Sequence, residues 1–303
     1  MATLFVALEI GLIYAILAIG VHLTYRVLDF PDLTVDGSFT TGAAVTAVMI
    51  SAGQNPWLAV AVAFVAGWAA GSVTGVLHVW AGINPLLSGI VTQIALYSIN
   101  LRIMGKANLP LGRNETLFTL LREEHLMRTF ASVAILAAMI ALVGVLVYLF
   151  LGTEYGVALR ATGDNEDMAR AQGINTGQMK VLGLALSNAL VAACGSLIAQ
   201  YNGYADIQMG IGLIVAGLAS VIIGQAIFGM TAVWQAVLAA VLGSIIYRGI
   251  IQGALQSGMD ANDMKLVSAV LVVLALTIPS LSPLKRARRQ RVRRRAESME
   301  ATA

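Results

Sequence analysis

The stretch that decides the fold is residues 131–151, ASVAILAAMIALVGVLVYLFL, 21 residues without a single charge. As a helix rising about 1.5 Å per residue it spans about 30 Å, the thickness of a bilayer's hydrocarbon core. Eight more apolar blocks lie on either side of it, at 4–24, 36–53, 56–80, 86–104, 179–200, 211–229, 231–252 and 264–281. With 58% hydrophobic and 12% charged residues among 303, and a mean hydropathy of +0.81, the chain carries more apolar surface than a water-soluble core can bury. In lipid every backbone N–H and C=O must be satisfied internally, and the blocks lack the strict alternation of barrel strands. An all-α integral membrane bundle of about nine transmembrane helices is therefore expected. Residues 1–23 carry Glu9, lack a basic start and run longer than a secretory signal's apolar region, so they too are expected to span.

Charge sets the expected orientation. Lys285 to Arg295 holds eight basic residues directly after the last block. Such a run suits a cytoplasmic tail held against anionic lipid headgroups, and a nucleic-acid role is not expected for it. Without residues 285–303 the chain has 11 basic residues against 14 acidic ones. The division is thus one transmembrane domain over 1–284 and a basic tail over 285–303. An odd number of spans then puts the amino terminus outside and the polar stretch 152–178, with Arg160 and Arg170, in the cytoplasm. The segment 105–130 falls outside although it carries Lys106, Arg113, Arg122 and Arg128 against Glu115, Glu123 and Glu124. Leu117, Leu120, Leu121 and Leu126 recur there at near-helical spacing. That pattern fits either a short helix on the membrane surface or a solvated loop with an apolar stripe.

Two irregular segments interrupt the apolar pattern. Asp29 to Gly37 reads DFPDLTVDG and leads into a small-residue run from Ser38 to Ala47. A broken or re-entrant helix with Asp36 near its positive end would suit this composition in a protein-lined cavity; a polar loop with helix-capping aspartates is the alternative. The second break, Gly82 to Pro85, contains Asn84 and precedes Ser88, Thr92 and Gln93 within an apolar block. Asp36, Ser38, Asn84, Ser88, Thr92 and Gln93, with Asn188 in a later block, are the candidates to line a solute path, although capping and interhelical hydrogen bonds account for such groups too. Gly67, Gly71 and Gly75, and again Gly249 and Gly253, stand at four-residue spacing, a pattern expected to let helix backbones approach.

Several chemistries have no residues to carry them. There is no glycine-rich phosphate loop ending in Lys-Ser or Lys-Thr, and no Gly-x-Ser-x-Gly elbow. His22, His78 and His125 show no metal-ligand spacing, and Cys194 is the only cysteine, so neither a metal nor another cofactor is expected. Ionisable groups in the blocks, among them Glu9, Asp36, Arg102 and Arg248, lie mostly near block ends, where a proton-coupled carrier needs them deeper. Open readings at this point are an ATP-driven permease, a secondary carrier or channel, and a membrane scaffold.

The most informative segment is Tyr155 to Ser196, YGVALRATGDNEDMARAQGINTGQMKVLGLALSNALVAACGS. Gly156, Arg160-Ala161, Asp164-Asn165, Ala169 with Ala171, Gly173-Ile174 and the small residues from Ala189 to Gly195 follow one another in order. In this the segment resembles the cytoplasmic loop and next span of the branched-chain amino acid and ribose permease family of ABC importers. Gly11 to Val45, GLIYAILAIGVHLTYRVLDFPDLTVDGSFTTGAAV, is similar to that family's first span and irregular re-entry. Asp29, Asp32 and Asp36 make the re-entry more acidic, and the basic tail is longer, than the family pattern. The nearest likeness is to permeases paired with lipoprotein-type binding proteins for aromatic amino acids.

The resemblance implies the transmembrane fold of a type II, cobalamin-importer-like system in a bacterial inner membrane. It also implies two permease copies, two ATP-binding cassette subunits beneath and an extracytoplasmic binding lipoprotein above. The chain itself is then no enzyme, and a small polar solute such as an amino acid is its cargo. A short helix at 165–172 is expected to seat in the ATPase, with Arg160, Gly163, Asp164, Asn165, Glu166, Asp167, Met168, Arg170 and Gly173 as coupling residues. Arg113, Arg122 and Arg128 are the candidates for docking the binding protein, since rim charges steer encounter.

Overall fold

All nine apolar blocks are helical in the computed structural model, which describes residues 2–112, 114–124, 126–229, 232–256 and 263–281. The long helices are α1 (Ala2–His22), α2 (Thr34–Ser51), α3 (Pro56–Val79) and α4 (Pro85–Met104). After a short α5 (Thr119–Glu123) come α6 (Phe130–Gly152), α7 (Glu154–Asp164), α8 (Glu166–Ala171) and α9 (Thr176–Asn202). The described chain ends with α10 (Leu213–Phe228), α11 (Val233–Gln256) and α12 (Met264–Leu281). The tail over 285–303 lies outside the described residues. Helix starts follow the local chemistry: Asn55 and Asn84 each precede a proline, and each side-chain oxygen accepts a first-turn backbone N–H.

Among the described residues, six helical segments are long and apolar enough to cross a membrane: Leu4–Val27, Pro56–Val79, Pro85–Met104, Phe130–Gly152, Thr176–Asn202 and Val233–Gln256. The sequence pattern pointed to nine. Of the other three blocks, α10 has 16 residues, about 24 Å of helix, short of the hydrocarbon core. Helix α2 has the length but buries Thr34, Asp36, Ser38, Thr40, Thr41 and Thr46 inside the bundle instead of presenting an apolar surface to lipid. Chain 2–281 is a multi-span helical membrane protein.

Helix α9 is the centre, buried along most of its length against α1, α2 and α3. A Cβ on Gly67 would strike the Asn188 carbonyl oxygen, one on Gly71 that of Leu184, and one on Gly75 would lie 2.7 Å from the Cα of Val181. The expected close approach of backbones is thus realised between α3 and α9. It is not realised at Gly249 and Gly253, where an added Cβ meets nothing within 4 Å; equal spacing there opens on no neighbouring helix among the described residues. Hydroxyls join the centre: Thr46 donates to Ser196 at 2.6 Å, Ser187 to the Gly20 carbonyl at 2.7 Å, and Ser244 to that of Gly11 at 2.9 Å. Arg248 of α11 lies 3.4 Å above the ring of Tyr14, which gives its charge an apolar, π-rich seat within the bundle.

The all-α expectation needs one amendment. Asn108–Pro110 (β1) pairs antiparallel with Tyr204–Asp206 (β2), tying the segment after α4 to the end of α9. Within 115–128 only the single turn of α5 is helical. Phe118 is 2% exposed and packs edge-on against Tyr201, and the Leu117 N–H donates to Gln200 Oε1 at 3.0 Å. Apolar residues of this segment thus turn inward onto the bundle, and the surface-helix reading gives way to a packed, irregular cap.

Candidate functional site

Helix α1 does not stop cleanly. The five residues after it, Leu23–Val27, widen into a π-turn, and the chain then breaks, with Asp29 at φ +53. Phe30 N–H reaches back to the Thr24 carbonyl at 2.9 Å, and Leu28, Phe30 and Asp32 are all buried. A break this deep needs partners for its polar groups. Asp32 accepts the Thr34 N–H at 2.9 Å and the Asn188 amide at 2.6 Å, and Thr34 meets Thr74 at 2.7 Å. Asp32 thus joins α2 to α9, and the Thr34 hydroxyl ties α3 to them. The broken helix expected after the first span is present, with its capping groups turned into the protein.

One turn later Asp36, 8% exposed, accepts the N–H of Gly212 on one oxygen and that of Ile214 on the other, each at 2.8 Å. The carboxylate therefore caps the amino-terminal end of α10, where the helix dipole favours negative charge. The sequence placed Asp36 near a helix start and expected it to serve its own helix; the structure gives it to a helix 176 residues away. Beside it lies a cavity of about 390 Å³, bounded by Asp36, Thr40, Gln93, Tyr97 and Asn100, with Ile211 beyond. Asn100 Oδ1 is buried there without a partner.

Of the path candidates, the structure brings Asp36 and Gln93 to this cavity. Ser38 is fully buried with an unpartnered hydroxyl, and Asn188 is engaged by Asp32 with its Oδ1 left unpartnered. The others turn to their own helix: Ser88 donates to the Pro85 carbonyl, Thr92 to that of Ser88, and Asn84 caps α4. Tyr97, Ser98 and Asn100 were missed. Their signal was readable, since Gln93, Tyr97 and Asn100 stand at i, i+4 and i+7, one face of α4.

The segment 152–178 forms two short helices. Thr153 starts α7, and Asn165 caps α8 by accepting the Met168 N–H at 2.9 Å. Gly173, at φ +85, turns the chain towards α9. Helix α7 sits directly on the π-turn, for a Cβ on Gly163 would overlap the Val27 carbonyl oxygen. The expected small helix at 165–172 is thus present over 166–171, yet not all of the residues expected to contact an ATPase face outward. Glu166 bonds Lys180 at 2.7 Å, Arg170 at 2.8 Å and the Thr176 hydroxyl at 3.2 Å. The Lys180 ammonium beside it holds the Glu166 carboxyl below the usual carboxylate range. Ala169 is buried, whereas Met168 is 65% exposed, so the two do not form a common packing face. Asp164, Asn165, Asp167 and Arg170 are exposed. Arg160 is only partly exposed and lines a second cavity, of about 880 Å³, between α1, α7 and α11.

The contacts of α8 continue inward. Lys180 lies 3.5 Å from His78 Nε2; the other ring nitrogen of His78 is 2.8 Å from the Ile83 carbonyl oxygen, and its ring meets Phe30 edge-on. The small helix is thereby linked through α9 and α3 to the break below Asp32.

At the opposite end Arg122 donates to the Tyr201 carbonyl at 2.6 Å, and Arg128, at φ +63, donates its backbone N–H to Glu9 at 2.8 Å. Both arginine side chains are exposed; Arg113 lies outside the described residues. Glu9 is fully buried and also accepts the hydroxyls of Ser132 and of Tyr201. Among the described residues no group of His, Cys, Asp and Glu is placed to hold a metal.

Comparison with known proteins gives this arrangement a context. The family model for the branched-chain amino acid transport system / permease component matches residues 3–276. A tyrosine transport system permease protein of Clostridioides difficile (strain R20291) is 41% identical over 272 residues, 90% of each chain. An uncharacterized protein of Rickettsia prowazekii (strain Madrid E) is 33% identical over 91% of this chain and 98% of its own length. More distant is an autoinducer 2 import system permease protein of Salmonella paratyphi B, 25% identical over 73% of this chain and 61% of its own. No solved structure matches. On the extent of these matches, the chain belongs to the family of branched-chain amino acid transport system permease components.

Proposed function

We propose that this chain is the membrane-spanning subunit of an ATP-driven importer in a bacterial inner membrane, and that its cargo is an amino acid, tyrosine or a close relative. The observation that carries the reading is the unbroken set of contacts from exposed α8, through Glu166, Lys180 and His78, to the break that holds Asp32 and leads to Asp36. An ATPase seated on α8 would move α7 and α8 as a unit, because Gly163 leaves no gap to the π-turn. That motion would bias the polar break, and with it the cavity at Asp36 and Gln93, between outward-open and inward-open forms. The cargo class rests on the similarity to the tyrosine permease and on a cavity that offers Tyr97 beside Asp36, Gln93 and Asn100.

In this reading nine helices cross or enter the membrane as in a type II importer, α2 being re-entrant, with the amino terminus outside and 152–178 in the cytoplasm. Two copies form the path, two ATP-binding cassette subunits bind beneath, and a binding lipoprotein docks above on the cap that carries Arg113, Arg122 and Arg128. The path set is Asp36, Ser38, Gln93 and Asn188 with the newly found Tyr97 and Asn100.

The test is reconstitution of the permease with its ATPase and binding protein in proteoliposomes. ATP-dependent accumulation of L-tyrosine is expected. Uptake by the permease alone, driven by an ion gradient, would instead establish a secondary carrier.

A further inference from the structure

The larger cavity lies away from the one at Asp36, enclosed by the π-turn of α1, the inner face of α7 and the start of α11. Its polar lining is His22, Tyr25, Arg26, Asp29, Arg160 and Asp164. Arg160 is the unusual member. Its Nε is buried without a hydrogen-bond partner, and no ion pair joins it to Asp29 or Asp164, although both line the same cavity. A buried guanidinium nitrogen left unpaired is costly, and a planar fork of this kind selects a carboxylate. The two aspartates at the exposed rim offer the opposite charge to an ammonium, and against Arg26 and Arg160 in the same lining they leave the cavity balanced in charge, which suits a zwitterion better than a polyanion such as a nucleotide. Val157, Leu151 and Val233 supply an apolar wall, and about 880 Å³ holds an aromatic side chain with room to spare.

We propose that this cavity binds a zwitterionic amino acid from the cytoplasm, Arg160 taking its carboxylate and Asp29 with Asp164 its ammonium. The inference rests on the orientation and cargo class of the proposed function. Because the three binding residues sit on the π-turn break and on α7, a bound molecule bridges the elements that must shift when the ATPase closes. Product accumulating inside the cell then slows its own import.

The experiment uses the complete permease–ATPase complex in nanodiscs, without binding protein and without ATP, and L-tyrosine as the probe. Saturable binding is expected, with 3-(4-hydroxyphenyl)propionate and tyramine, which lack one charge each, about tenfold weaker. Arg160→Gln is expected to weaken L-tyrosine about tenfold, and Asp29→Asn with Asp164→Asn to erase the preference over the deaminated acid. If Arg160→Gln fails to assemble, the exposed aspartate pair alone decides. Absence of saturable binding at millimolar tyrosine, or binding that ignores Arg160 and both aspartates, overturns the inference. If binding protein still drives ATP-dependent uptake in that case, only this inference falls; binding without any such uptake overturns the proposed function instead.

Discussion

Lys180, on the first turn of α9, holds Glu166, on the first turn of α8, at 2.7 Å and so fixes the small helix to the foot of the most buried helix in the bundle. The pair is partly exposed, Lys180 at 18% and Glu166 at 36% of the side chain. Its worth to global stability is accordingly small, on the order of 0.5 kcal/mol. Its effect on force transmission is expected to be larger.

Lys180→Met should therefore leave insertion and thermal stability close to wild type while ATP hydrolysis by the reconstituted complex continues with reduced uptake per ATP. The pH dependence has a definite sign. Glu166 is held below the usual carboxylate range, so its contribution is present above the unfolded value, about 4.3, and is lost as pH falls through the lowered one. Coupling should not vary with this group between pH 6 and 8; a loss of coupling in Lys180→Met that tracks pH across that window would contradict the assignment.

Asp36 is expected to matter twice. Replacing it with Asn keeps one acceptor for Gly212 or Ile214 but removes the charge at the α10 terminus, a cost of about 1 kcal/mol. Uptake should fall further than that loss implies, because the same carboxylate borders the 390 Å³ cavity. Thermal unfolding and uptake measured on one preparation separate the two effects; a proportionate decline in both would make Asp36 a cap and nothing more.

Glu9 anchors the cap formed by 105–130. Glu9→Ala strands the Tyr201 hydroxyl and the Arg128 N–H, while Ser132 keeps the Thr129 carbonyl at 2.9 Å, and a cost of about 2–4 kcal/mol follows. Faster proteolysis within 105–130 is the expected readout, with Glu9→Gln intermediate. Wild-type protease resistance in Glu9→Ala would show that the cap is held elsewhere.

The two glycine sets give a paired test. Gly71→Ala puts a methyl group against the Leu184 carbonyl and should lower the folded yield, since α3 and α9 must separate to accept it. Gly249→Ala meets nothing within 4 Å in a single chain. Normal yield with impaired assembly of the complex would locate α11 at a contact between copies.

What was legible in the sequence was whatever depends on neighbours along the chain. Helix blocks follow from run length, and the caps at Asn84 and Asn165 from the residue before a helical run. The break at 28–33 follows from its aspartates and proline. What was not legible depends on distant pairing. Nothing near Asp36 announces Gly212, and nothing near Glu9 announces Tyr201. Three-residue strands such as β1 and β2 carry no period to detect. Glycines 67, 71 and 75 and glycines 249 and 253 share a spacing, and only the fold distinguishes a packed face from an open one. Glu166 read as a surface acid because the lysine that claims it comes 14 residues later, after a turn.

The five-residue wide coil at Leu23–Val27 makes the chain tolerant of a one-residue loss at that point. A π-turn takes about one residue more to complete its turn than the α-helix it continues, so a chain one residue shorter within Leu23–Val27 can close the same turn as regular α-helix, four residues turning it about as far as the five do now. Asp29 and Asp32 would then keep nearly their present bearing about the α1 axis. Loss of one residue earlier in α1 would instead turn everything beyond it by about 100°. Homologues and variants of this protein are therefore expected to accept a one-residue deletion within Leu23–Val27 far better than the same deletion in the regular part of α1.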